Sequence, residues 1–205
     1  MPLSVYEKIC DILMKGDSDE YLFAHAFLTI EWNLMARADN VVHLSVEHVE
    51  WNADSLIFYF ATTKTDQSGE KQRLPWHVYS NPLHPHICPV LSFAKYVLAH
   101  PGVLENNGRN MLFPGSNQYS RFLKIFHNVL VENKDALLEL GVDPTDLGSH
   151  STRKDKCLTN VCMYFFYICV TKLLFRECNT CSFRLCCFST NDCNMFKSRM
   201  EYGVC

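Results

Sequence analysis

A chain of 205 residues, 48% hydrophobic and 20% charged with a mean hydropathy of −0.07, is long enough to bury one substantial core or two small ones. That composition excludes collagen-like, coiled-coil and wholly disordered chains. A net charge of −3 supplies no global basic field, so any phosphate-binding surface must be a local concentration of lysine and arginine.

In chain order, Val5, Ile9, Ile12 and Leu13 follow Pro2 at near-helical spacing and predict a short first helix that stops at Gly16. Asp17 and Ser18 can cap a second helix, with Asp19 and Glu20 against its positive end. Phe23, Phe27, Ile30 and Leu34 then form one buried stripe on a helix running to about Ala36, and Arg37 follows it directly. Val41–Leu44 is too short to assign. From there the chain reads as strands: Val46 to Trp51, a turn at Asn52–Asp54, Leu56 to Thr62, a loop over Lys64–Gly69, and Gln72 to Val78. Together these predict a three-stranded antiparallel sheet.

Pro82, Pro85 and Pro89 mark an irregular connection into a helix from about Val90 to Ala99. Leu112-Phe-Pro114 reads as a short extended piece, and Asn117 can cap a helix that buries Phe122, Phe126, Val129 and Leu130 and offers Arg121 and Lys124 on its other face. The turn Asp143–Gly148 leads to Ser149, placed to cap whatever begins at His150. The fold class is therefore α+β, mostly helical with one small sheet.

Composition changes after Lys156. Residues 1–156 carry a net charge of −5, all nine His, all eight Pro and all three Trp; residues 157–205 carry +2, nine of the eleven Cys and six of the fourteen Phe, and lack Ala and Gln. Translated T-rich sequence has this bias, so the chain divides into a body, 1–156, and a Cys/Phe-rich tail that did not evolve with it. A zinc module fits the tail poorly: Cys178 and Cys181 make one C-x-x-C, but Cys186, Cys187 and Cys193 form no second pair at knuckle spacing and no His is present. A membrane anchor fits poorly too, because Lys172 interrupts the apolar run from Cys157 before the ~20 residues a spanning helix needs. Cys placement and the lack of a secretory start predict a reducing, intracellular setting.

Within the body the most specific cluster is Ser149-His-Ser-Thr-Arg153, where His150 and Arg153 share a face at a helix start. A helix N-terminus, an arginine fork and an imidazole together suit a phosphate. The same tetrapeptide also describes a capping histidine and a salt-bridging arginine, and its surroundings must decide.

Those surroundings resemble the catalytic domain of the tyrosine recombinases, or phage integrases, and most closely the version in eukaryotic Crypton-type mobile elements. The likeness runs from Pro2 to Lys154. Arg37 in Leu34-Met-Ala-Arg-Ala-Asp-Asn-Val-Val42 resembles the family's first arginine, and Lys64 in Ala61-Thr-Thr-Lys-Thr-Asp66 its hairpin lysine. Asn81-Pro-Leu with Cys88-Pro-Val-Leu91, then Leu112-Phe-Pro114, resemble the segments that follow, and Leu147-Gly-Ser-His-Ser-Thr-Arg-Lys154 resembles the H-x-x-R box. The resemblance implies DNA strand exchange through a covalent 3′-phosphotyrosyl intermediate. Arg37 and Arg153 would clamp the scissile phosphate, His150 would move the nucleophile's proton, and Lys64 would protonate the departing 5′ oxygen. No metal or cofactor is implied, since the arginines neutralise charge. The implied partner is duplex DNA, held weakly through phosphates with help from Arg121, Lys124 and Lys154. A homo-oligomer on DNA and a nuclear location follow from the same likeness.

The pattern then departs. No His follows His150 and no Trp follows Trp76; Tyr164 and Tyr167 come too soon after Arg153, and Tyr202 is isolated. None matches the family's nucleophile, so the expectation is an inactive domain that lacks both the nucleophile-bearing end and an amino-terminal DNA clamp. Asn40 stands where many recombinases have a carboxylate three residues after the first arginine. A non-enzymatic DNA-binding or protein-interaction module derived from a mobile element is the alternative.

Overall fold

The computed structural model describes residues 1–52, 55–60, 75–105 and 110–148. Helix α1, Leu3–Lys15, buries Val5, Tyr6, Ile9, Cys10 and Leu13 and stops at Gly16, as the spacing predicts. A Cβ added to Gly16 would fall 1.9 Å from the Tyr21 ring, so the next helix comes too close for a side chain there. Helix α2, Asp19–Asn33, begins where Ser18 Oγ accepts the Tyr21 amide at 3.2 Å, the anticipated cap.

Two features of α2 differ from the sequence reading. It ends at Asn33 rather than near Ala36, because Met35 turns left-handed with φ 47°. Its burial is no single stripe: every residue from Phe23 to Trp32 is buried, since α1, α4 and α5 all pack against it. His25 and Thr29, polar residues inside this stretch, are matched by partners. His25 Nε2–H donates to the His86 carbonyl at 2.7 Å, and burial pushes the imidazole pKa down to about 4, so the ring is neutral. Thr29 Oγ1 donates to the His25 carbonyl at 2.8 Å and lies 2.5 Å from Ser92 Oγ across the α2–α4 contact.

A five-residue helix α3, Ala38–Val42, takes in the first two residues of the unassigned Val41–Leu44 stretch. The expected strand from Val46 starts late, because Val46–His48 forms a 3-10 turn: Ser45 Oγ accepts the Glu47 amide and the Ser45 amide donates to His48 Nδ1. Strands β1 Val49–Asn52, β2 Ser55–Phe58 and β3 Trp76–Tyr79 then form the predicted three-stranded antiparallel sheet in the order β1-β2-β3, pairing Val49 with Phe58 and Leu56 with Val78. Residues 61–74, which include Lys64, its loop and the start of the predicted third strand, lie outside the described residues.

Helix α4, Pro89–Ala99, matches the expectation. The expected extended piece pairs two residues early, at Asn110–Leu112: the Val46 amide donates to the Asn110 carbonyl at 2.7 Å and the Leu112 amide to the Leu44 carbonyl at 2.8 Å. Helix α5, Gln118–Glu132, buries Phe122, Phe126, Val129 and Leu130 as predicted, and Ile125 too. Asn117 precedes it but makes no side-chain cap; with φ 58° it serves as a left-handed turn residue, and Gln118 Nε2 donates to the Pro114 carbonyl instead. Helix α6, Lys134–Glu139, is too short to announce itself in the sequence, and it closes at Gly141 with φ 77°. The fold is thus mostly helical with one small antiparallel sheet.

One aromatic cluster joins α2, α4, α5 and the segment before α5. The Phe27 and Phe122 rings stack with centroids 4.4 Å apart, Phe23 meets Phe113 edge-on at 5.4 Å, and Tyr96 lies 5.2 Å from Phe113.

Candidate nucleic-acid interface

Arg37 is placed by backbone geometry. The Met35 amide donates to the Trp32 carbonyl at 3.2 Å and the Ala36 amide to the Glu31 carbonyl at 3.2 Å, the paired bonds of a Schellman turn with a left-handed residue between them. The chain leaves that turn extended, with Arg37 at φ −80° and ψ 146° as the residue before α3. Extended backbone sends neighbouring side chains to opposite sides, so Ala36 and Ala38 are buried and Arg37 between them is exposed.

Arg121 and Lys124 project from the solvent face of α5, one turn apart, and α5 packs against both α2 and α3, the elements that flank Arg37. The Arg121 guanidinium carbon sits 4.3 Å from the centroid of the Phe23 ring on α2. Among the described residues no carboxylate pairs with Arg37, Arg121 or Lys124; ion pairs form elsewhere, as between Lys15 and Asp11, His43 and Asp39, and His100 and Asp19. Among the described residues, then, three cations on adjoining elements have no carboxylate partner, a pattern that suits a phosphate-binding surface.

Lys64, His150, Arg153 and Lys154 lie outside the described residues, as does the tail from 157. The structure does join the other quoted segments. The Asn81 amide donates to Cys88 Sγ at 3.2 Å, and the same sulfur accepts the Leu91 amide at the start of α4, so Asn81-Pro-Leu and Cys88-Pro-Val-Leu close on each other. The bond from Leu112 to the Leu44 carbonyl ties Leu112-Phe-Pro to the end of the Arg37 segment. What the sequence reading left out are the groups that position Arg37, the carbonyls of Glu31 and Trp32. Being backbone, they leave no residue-type signal, and a methionine at the left-handed position hides the turn that a glycine would have marked.

Neither the family models nor the curated proteins include one that this chain matches. Among solved structures, FLP recombinase in complex with a Holliday junction superposes with a TM-score of 0.51 at 10% sequence identity, covering 91% of this chain and 46% of that one. The chain thus spans less than half the length of the recombinase it resembles. A likeness at this identity is one of fold, and it agrees with the α+β architecture. The protein has a tyrosine-recombinase-like fold.

Proposed function

We propose that this chain is a DNA-binding domain of tyrosine-recombinase type, derived from a Crypton-like mobile element and unable to cut DNA in its present form. The observation that carries the reading is Arg37: an exposed arginine with no carboxylate partner among the described residues, held at a fixed turn after the central helix, in a fold similar to that of FLP recombinase. In this reading Arg37 and Arg153 grip one phosphate, Arg121, Lys124 and Lys154 add flanking contacts, and Lys64 and His150 retain the types needed for proton transfer. The lack of a His after His150, of a Trp after Trp76 and of a Tyr at the family's nucleophile spacing is the sequence feature behind the proposed inactivity. Action in the nucleus and assembly of several copies on DNA belong to the same proposal.

The test is salt dependence. Each phosphate contact contributes about 0.9 to the slope of log affinity on log salt, so replacing Arg37 and Arg153 together by Ala lowers the slope by up to about two. An unchanged slope removes the proposed phosphate pocket. A protein-interaction module with no DNA role is the second reading, favoured by the acidic body, and it predicts no measurable duplex binding at low salt.

A further inference from the structure

The contact between Arg121 and Phe23 suggests a role for a core residue that neither sequence pattern nor fold likeness assigns. Phe23 is fully buried, one turn before Phe27 on α2, and packs edge-on against Phe113. Arg121 comes from α5, is exposed, and lays its guanidinium over that ring at 4.3 Å. Its charge also reaches the Tyr96 hydroxyl, whose pKa burial pushes up to about 12 while Arg121 pulls it down. Where a guanidinium lies flat on an aromatic face, its donors sit at the edge of the plane and point away from the ring. Among the described residues no carboxylate is paired with those donors.

We infer that Phe23 is a positioning residue for anion recognition: its ring fixes the plane of Arg121 so that the guanidinium edge meets a DNA phosphate with both donors already aligned. The inference rests on the DNA-binding reading above and adds to it the reason an arginine, and not a lysine, is needed at this point of α5. A lysine would keep the charge and lose the plane. Lys124, one turn further along, has no aromatic partner among the described residues and offers a point charge.

The full chain is titrated with a short fluorescently labelled duplex over a range of salt, with circular dichroism recorded for each variant. Arg121→Ala lowers the salt slope by about 0.9, whereas Arg121→Lys leaves the slope unchanged and weakens binding about threefold, the size of a lost exposed cation–π contact. Phe23→Leu produces a similar loss at unchanged slope, and that loss vanishes when Phe23→Leu is combined with Arg121→Ala, because the ring then has nothing to orient. A loss from Phe23→Leu that persists beside Arg121→Ala would show general damage to the core and overturn the inference. Wild-type binding by Arg121→Lys overturns it as well, and this variant leaves the core intact if Phe23→Leu does not fold. Arg37→Ala is the separate control. If neither it nor Arg121→Ala alters binding, the DNA-binding reading itself has failed, a result distinct from binding that depends on Arg121 but not on the ring.

Discussion

The Ala36 amide donates to the Glu31 carbonyl at 3.2 Å, and this one bond decides where α2 ends and where Arg37 begins. Met35 is trapped beneath it at φ 47°, a conformation that costs an L side chain about 1 kcal/mol or more. Gly141 does the same work after α6 at φ 77°, where the Val142 amide returns to the Leu137 carbonyl and an added Cβ would meet nothing within 4 Å.

The two turns make opposite experiments. Met35→Gly is expected to stabilise the protein by about 0.5–1 kcal/mol, and Gly141→Ala to destabilise it by about 1 kcal/mol with no steric contribution. Urea unfolding of both variants checks this. A destabilised Met35→Gly protein would show that the methionine side chain contributes more by packing than its backbone costs.

His25 predicts an acid-sensitive core. Its folded pKa, about 4, lies below the unfolded value of 6.5, so the unfolded chain binds the extra proton first and stability falls as pH drops from about 6.5 towards 4. Full loss of this contribution amounts to about 3 kcal/mol. Tyr96 and His100 lie on the neighbouring helix and its end, and Lys95 is the nearby cation that opposes protonation. Melting temperatures measured across that range should fall steeply in the wild type and less so in His25→Gln, which keeps an N–H donor for the His86 carbonyl.

Covalent chemistry gives the next prediction. In-line attack on phosphorus needs a nucleophile within about 3–3.5 Å, and a displacement of about an ångström costs roughly a hundredfold. Residues 1–205 incubated with a nicked duplex that traps any cleavage should therefore yield no denaturation-resistant protein–DNA band. A band that appears in the wild type and vanishes with Tyr164→Phe, Tyr167→Phe or Tyr202→Phe would identify a nucleophile in the tail.

The last prediction concerns residues 157–205. A chain ending at Lys156 should be at least as soluble as the longer one, because it sheds nine cysteines and six phenylalanines. Stoichiometric zinc bound only by the longer chain, or cooperative unfolding seen only there, would reverse that view of the tail.

How far the sequence could be read depended on what kind of group does the positioning. Stripes such as Phe122, Phe126 and Val129 and the Ser18 cap are written in residue types, and α1, α4 and α5 were predicted nearly to the residue. The sheet was legible as alternation, but its first strand was overcounted because Ser45 and His48 divert Val46–His48 into a tight turn. Burial of α2 on every side could not be seen, since a stripe shows which face is apolar and not how many neighbours surround a helix. Of the candidate site, the exposure of Arg121 and Lys124 on the solvent face of α5 was anticipated. The stacking of Arg121 on Phe23 was not, because the two residues are brought together only by tertiary packing.

Complete enclosure of Phe23 to Trp32 has a bearing on how such a domain can diversify. A helix wrapped on all sides has no outward position where a new contact residue can be tried without disturbing a neighbour, so variation within it is confined to volume-preserving exchanges. New binding preferences must instead arise at its ends, at the solvent face of α5 and in the connecting segments. In descendants of this lineage the axis of the domain should drift slowly in sequence while the surface around Arg37 changes partner.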